Sequence, residues 1–245
     1  MKENKYDERR FFNLYSQMSR SVLGLEGAGE WHILKKMFPD FTGKRVLDLG
    51  CGFGWHSQYA AENGAESVTG IDLSSNMIEK ANEMNRFPCV KYYCTGIEDF
   101  RFEREIYDVV VSSLAFHYLE SFHDIASAIS ECLVPGGTFV FSAEHPVFTA
   151  YGSQDWYYDD NGKKLHWPVD RYFDESRRKA IFLGEEVTKF HKTIATYMKG
   201  LLENGFEITG FEEPKPDPKF LETIPEMKDE LRRPMFILIS AKKRK

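Results

Sequence analysis

Between Lys44 and Ala143, short β-branched and apolar runs alternate with longer stretches of helical periodicity, the pattern of a parallel sheet with helices on its faces. The predicted strands are Arg45–Leu49, Ser67–Asp72, Val90–Thr95, Tyr107–Ser112 and Thr138–Ala143. Each is mostly apolar, because a central parallel strand is buried on both sides. Helices are predicted between them near Trp55–Asn63, Asn76–Asn85 and His123–Leu133. Asn63-Gly64 and Pro135-Gly136-Gly137 mark helix ends turning into strands, and Ser74-Ser75-Asn76 offers capping side chains after the second strand. Upstream, Glu30–Phe38 reads as an amphipathic helix entered through Gly27-Ala28-Gly29. The polar first 20 residues are either a mobile cover or a frayed terminus.

After Ala143 the periodicity breaks into an aromatic-rich stretch, His145 to Phe173, containing Trp156, Tyr157, Tyr158, Trp167 and Tyr172. So many large rings argue for a functional segment over a disordered one. A helix from about Thr188 to Asn204 follows, then strands Phe206–Glu212 and Met235–Ala241, separated by Pro214-Lys215-Pro216-Asp217-Pro218 and a polar segment. The expectation is one α/β domain over residues 1–245, with an N-terminal helical cover over 1–40 and an aromatic insertion over 145–187.

Composition narrows the class. Hydrophobic residues make up 42% and charged residues 29% of the chain, so a real core is expected. No run of about 18 apolar residues is present and the start lacks a signal-peptide pattern, which predicts a cytoplasmic protein away from membranes. Cys51, Cys89, Cys94 and Cys132 show no CxxC spacing, so reduced thiols and no metal site are expected. The net charge of −6 argues against tight nucleic-acid binding, and the tail Lys242-Lys243-Arg244-Lys245 reads as a solvated end.

The segment Val46-Leu47-Asp48-Leu49-Gly50-Cys51-Gly52-Phe53-Gly54-Trp55 runs an apolar strand into alternating glycines and then a helix. Glycine admits positive φ and leaves backbone bare, so a ligand can approach closely and meet the N–H groups that open the next helix. The dinucleotide pattern G-x-G-x-x-G would need glycine at 55, which is Trp55. Asp48, two residues before Gly50, is awkward for a pyrophosphate and suits a ligand with an ammonium group. The second strand ends in Gly70-Ile71-Asp72, where a carboxylate accepts both ribose hydroxyls. Taken alone, Asp72 is equally a helix cap. Thr95-Gly96-Ile97-Glu98-Asp99 offers an apolar residue and carboxylates to an adenine, or else plain surface charge.

These motifs, together with Leu73-Ser74, Tyr107-Asp108-Val109-Val110 through Ser112-Ser113 and Leu133-Val134-Pro135-Gly136-Gly137, closely resemble the class I S-adenosylmethionine-dependent methyltransferases, especially bacterial ones acting on small molecules. The resemblance covers about Lys44 to Glu144. It implies a doubly wound, mostly parallel seven-stranded sheet in the order 3-2-1-4-5-7-6, with strand 7 antiparallel and helices on both faces. It also implies S-adenosylmethionine as cofactor, with S-adenosylhomocysteine as product. By position, Asp48, Gly50, Cys51, Gly52 and Gly54 are expected to hold the methionine portion, Asp72 and Leu73 the ribose, and Met77, Ile97 and Glu98 the adenine. Ser113 and Leu114 fall near the sulfonium; Tyr15 and Arg20 are candidates for closing over the cofactor, Arg20 on its carboxylate.

Methyl transfer from a sulfonium is an in-line displacement, so the enzyme mainly holds an acceptor lone pair opposite the sulfur. A general base helps when the acceptor must lose a proton. His145, His117 and His191 are the candidates, His145 foremost because Glu144-His145-Pro146 closes the fifth strand beside the aromatic insertion. For each, a structural histidine is the competing reading. Tyr118, Tyr151, Trp156 and Tyr157 are expected to wall the pocket of a small-molecule acceptor, the insertion acting as pocket or lid. Competing functions are a nucleic-acid or protein methyltransferase, a non-catalytic cofactor-binding module and an NAD oxidoreductase. Against the first, Ser112-Ser113-Leu114-Ala115-Phe116-His117 stands where amino-directed DNA enzymes carry Pro-Pro-aromatic. Acceptor identity and oligomeric state are not encoded in any motif.

Overall fold

The structure is a computed structural model that describes residues 4–245. The chain opens with helices α1 (Arg9–Tyr15), α2 (Ser19–Val22) and α3 (Trp31–Met37). The wound core follows as β1 (Arg45–Leu49), α4 (Trp55–Glu62), β2 (Ser67–Asp72), α5 (Ser75–Met84), β3 (Val90–Cys94), β4 (Tyr107–Ser113), α6 (Phe122–Cys132) and β5 (Leu133–Glu144). Next come α7 (Pro146–Thr149) and two hairpins, β6 (Tyr157–Tyr158) with β7 (Lys164–His166) and β8 (Arg177–Phe182) with β9 (Glu185–Phe190). The last elements are α8 (Ile194–Glu203), β10 (Phe206–Glu212), α9 (Pro218–Thr223) and β11 (Phe236–Lys243).

Among the described residues, seven strands form one sheet in the order β3-β2-β1-β4-β5-β11-β10. The five from the wound core run parallel, while β11 is antiparallel to both neighbours. In order of appearance this is the expected 3-2-1-4-5-7-6. Side-chain alternation sends Leu47, Leu49, Val110, Phe139 and Phe141 to one face, where Phe122, Ile125 and Ile129 of α6 and Tyr197 and Leu201 of α8 cover them. Val46, Val68, Val109 and Val111 point to the other face, against Ala60 of α4 and Ile78 and Ala81 of α5. Trp31 and Leu34 of α3 extend that cover over Val140 and Leu238. Among the described residues no helix is long and apolar enough to cross a membrane.

The structure departs from the sequence reading in four places. Pro135-Gly136-Gly137 lies inside β5, where the register with β4 shifts between Tyr107 and Val109, so the punctuation is an irregularity within a strand. The predicted helix from Thr188 starts only at Ile194, because Val187 and Lys189 are buried alternately along β9 and Thr193 caps the helix, accepting from the Thr196 N–H. The aromatic insertion contains the short β6–β7 hairpin and leads into the β8–β9 hairpin, and the polar segment after Pro218 is helical.

Candidate active site

Every parallel strand delivers its following loop to the same edge, and the order reverses between β1 and β4, the place where open α/β sheets hold ligands. A cavity of about 620 Å³ opens there, of a size that holds a small molecule. Gly50, Gly52, Asp72, Leu73, Met77, Ile97, Glu98, Ser113 and Leu114 line it. Gly50 and Gly52 have φ of +71° and +53°. A Cβ at Gly50 would come within 2.5 Å of the Ala115 Cβ, whereas one at Gly52 would meet nothing within 4 Å, so bare backbone faces open space. The Gly50 and Cys51 N–H groups both donate to the Ile71 carbonyl at 2.9 Å, tying the loop to β2. Asp72 completes the tie: its carboxylate accepts from the Gly52 N–H at 3.0 Å and the Ser74 N–H at 2.9 Å. Burial raises its pKa against those two bonds. Leu114, with φ of +54°, is held in a conformation costly for a branched side chain, its N–H fixed on the Ser142 carbonyl.

The N-terminal segment roofs this end. Asp7 accepts from the Ser74 hydroxyl at 2.6 Å and the Asn76 N–H at 3.1 Å, docking the chain on the start of α5. Phe12 and Tyr15 pack edge-on against Phe53 of the glycine loop. Tyr6, Tyr15 and Arg20 line the cavity. The Arg20 guanidinium donates to both oxygens of the buried Glu30, at 2.6 and 2.9 Å, and Glu30 also accepts from Ser113, which in turn receives the Ser142 hydroxyl. Glu30, read as the start of an amphipathic helix, is thus the counter-ion that aims Arg20.

Three cofactor candidates stand elsewhere. Asp48 is buried beneath the loop, one oxygen on Ser57 at 2.6 Å and the other without a partner. Burial pushes its pKa up to about 7. Cys51 packs into the core under α4, and Gly54 is required by close approach, since a Cβ there would lie 2.1 Å from the Tyr92 hydroxyl. None of the three lines the cavity.

The histidines separate more sharply. His145 caps α7, its Nδ1 accepting from the Val147 N–H, with Nε2 2.7 Å from Glu213. His191 is saturated: Nε2 donates to the Tyr172 carbonyl at 2.9 Å, which leaves Nδ1 to accept from the Thr149 hydroxyl at 2.7 Å. Neither lines the cavity, so the expectation that His145 is the foremost base is corrected. His117 does line it, buried, with Nδ1 unpartnered and a pKa depressed by burial to about 3. Its turn is fixed by Lys192, a buried ammonium that donates to the Phe116, Leu119 and Phe190 carbonyls.

The pocket tyrosines divide too. Tyr118 lines the cavity and meets the Tyr6 hydroxyl at 3.0 Å. Tyr151 is half-exposed, Tyr157 stacks on His166, and Trp156 packs on Trp167 with the Arg232 and Arg233 guanidinium groups over its ring. Trp156 and Tyr157 pack within the insertion, and none of the three lines the cavity, so the structure does not bring them to its wall. The wall is made instead by Phe148, Phe182, Phe190, Met235 and Phe236, with Glu144, Gln154, Arg177 and Lys189 among them. Alternation of Val187, Lys189 and His191 as a strand face was the signal available for Lys189; Gln154 lies in an irregular loop that no periodicity marks.

Residues 47–141 match a family described as a methyltransferase domain. A solved structure from Listeria monocytogenes, assigned as an S-adenosylmethionine-dependent methyltransferase, is 57% identical, with 91% of this chain and 100% of that one covered at a TM-score of 0.86. An S-adenosylmethionine-dependent methyltransferase from Mesorhizobium loti is 39% identical over 89% of this chain and 100% of its own, with a TM-score of 0.83. A malonyl-[acyl-carrier protein] O-methyltransferase from Bacillus cereus is 28% identical over 134 residues, 54% of this chain and 46% of that protein.

Proposed function

Because this chain belongs to the class I S-adenosylmethionine-dependent methyltransferases, we propose that it transfers the cofactor's methyl group to a small molecule held between the strand edge and the β8–β9 hairpin. The observation that carries this reading is one cavity lined both by bare glycine backbone with Asp72 and by the phenylalanines Phe148, Phe182, Phe190 and Phe236. The bound cofactor supplies an activated methyl on a sulfonium. The chain's own work is orientation and exclusion of water.

In this reading the backbone of Gly50 and Gly52 receives the methionine portion and Arg20, braced by Glu30, faces its carboxylate. Asp72 takes the ribose, exchanging its loop contacts for the hydroxyls. Met77, Ile97 and Glu98 flank the adenine, and Ser113 and Leu114 stand beside the reacting centre. His117 and Tyr118 serve the acceptor side, His117 as an uncharged imidazole. The small-molecule acceptor is supported by the volume of the cavity beside the glycine loop and by the likeness to relatives named as a malonyl-[acyl-carrier protein] O-methyltransferase and a ubiquinone biosynthesis O-methyltransferase.

Calorimetry with S-adenosylhomocysteine tests the cofactor side. Asp72→Ala should weaken binding by more than about tenfold, the value of a hydrogen bond to a charged group. Unchanged affinity in that variant would remove Asp72 from the site. Methyl transfer from labelled cofactor into a metabolite extract tests the acceptor side, and label found only in protein or nucleic acid would overturn the small-molecule reading.

A further inference from the structure

His117 lines the cavity with only 4% of its surface exposed, in the turn Phe116–Tyr118 that follows β4. That turn is held at both ends. At its start, a Cβ on Gly50 would come within 2.5 Å of the Ala115 Cβ, so the turn packs directly on the glycine loop. At its end, the Lys192 ammonium donates to the Phe116 and Leu119 carbonyls and, from the same nitrogen, to the carbonyl of Phe190, which lines the cavity from β9. The Tyr118 ring lies 4.4 Å from the imidazole, and its hydroxyl meets that of Tyr6. These contacts fix where the imidazole stands without giving either of its nitrogens a hydrogen bond.

Nδ1 is sealed from solvent without a partner. Among the described residues nothing bonds Nε2 either, so Nε2 is the nitrogen the ring can present to the cavity it lines. A neutral imidazole carries one N–H and one lone pair. A hydrogen on Nδ1 would be a buried donor with nothing to accept it, whereas an under-used acceptor is the more tolerable loss, so the proton belongs on Nε2. The surroundings keep the ring neutral. Burial holds its pKa down to about 3, Lys189, Lys192 and Arg20 oppose a further positive charge, and Glu144 favours one. Glu144 is itself engaged by Lys189 and Gln154. A histidine that takes a proton from its substrate is braced by an acceptor on its far nitrogen, and here Nδ1 has none. The ring is therefore placed to give a hydrogen bond and not to remove a proton.

Resting on the methyltransferase reading of this cavity, we propose that His117 fixes the methyl acceptor by donating from Nε2 to one of its oxygens. The acceptor class is then a flat apolar molecule with an uncharged, hydrogen-bond-accepting oxygen such as a carbonyl. Its apolar part fits Phe148, Phe182, Phe190 and Phe236 on the same wall. Lys189, Glu144 and Gln154 bond among themselves and set no net charge against it.

Nitrogen-15 NMR of the histidine side chains, on protein saturated with S-adenosylhomocysteine, reads the tautomer directly and needs no variant beyond one for assignment. His117, identified by the signal missing from His117→Phe, should carry its proton on Nε2 and stay uncharged at about pH 5, where an ordinary histidine is protonated. Acetophenone should move the Nε2 signal more than ethylbenzene, which has the same ring without the oxygen. In calorimetry, the preference for acetophenone over ethylbenzene should fall at least about fivefold in His117→Phe, as loss of a neutral hydrogen bond gives. It should survive in His117→Gln, whose amide N–H stands in for Nε2. A proton on Nδ1, an imidazolium at about pH 5, an Nε2 signal that acetophenone leaves unmoved, a preference unchanged in His117→Phe or one lost equally in His117→Gln would each overturn the donor assignment. The methyltransferase reading would then stand on intact S-adenosylhomocysteine binding and fall only if that binding were absent.

Discussion

Asp48 sits on the strand that feeds the glycine loop with one carboxyl oxygen unpartnered, and this gives the fold a pH dependence of definite sign. Burial raises its pKa from 3.8 to about 7, so between those values the unfolded chain has released a proton that the folded chain keeps. Stability contributed by the protonated group is complete at acid pH and is lost as pH rises through the folded value. Asp48→Asn, which cannot ionise, should therefore raise the Tm of the cofactor-free protein at about pH 8 and change it far less at about pH 4. Equal shifts in thermal unfolding at both pH values would contradict this. The same residue marks how far sequence reaches at this scale. The strand-then-glycine spacing located Asp48 and Asp72 at one sheet edge, and Asp72 does bond the Gly52 N–H. Which side of the loop each carboxylate faces depends on packing against Ser57 and Ser74, which spacing does not encode. The histidines divide for the same reason: a strand end fixes where His145 and His117 are, while partners in distant segments, Glu213 and Lys192, decide which one turns inward.

At the scale of elements, the first helix and the β8–β9 hairpin act as one piece. Phe11 of α1 is fully buried against Ala180, Val187 and Phe182 of that hairpin. Truncating a buried phenylalanine costs about 3–5 kcal/mol, far more than a seven-residue helix recovers from its own hydrogen bonds. Phe11→Ala should release the N-terminal segment, seen as faster proteolytic cleavage before Trp31 and weaker S-adenosylhomocysteine binding, with the sheet's far-ultraviolet circular dichroism preserved. Cleavage at the wild-type rate would show that α1 is held by something else. The wound core was legible as elements because its strands are mostly apolar and two of its helices carry side-chain caps, Ser74 on α5 and Ser121 on α6. The hairpins were not. β6 and β7 are two and three residues long with no buried position, and in β9 a buried lysine breaks the apolar pattern that a strand reading relies on.

Across the whole molecule, the order of the seven-stranded sheet followed from family resemblance, while the roof over it depends on contacts between residues far apart in sequence. Tyr6 with Tyr118, Asp7 with Ser74 and Phe11 with Ala180 join the first turns of the chain to the middle of the wound core and to the insertion. Periodicity is a local signal and carries no trace of such pairings. One consequence concerns the rhythm of turnover. A cover pinned at once to the nucleoside end and to the acceptor end cannot lift over one without loosening the other, so loading and discharge share a gate. Rate-limiting gating of this kind drags solvent with it. Steady-state turnover should accordingly slow as sucrose thickens the medium, and a rate indifferent to viscosity would mean that the two ends open separately.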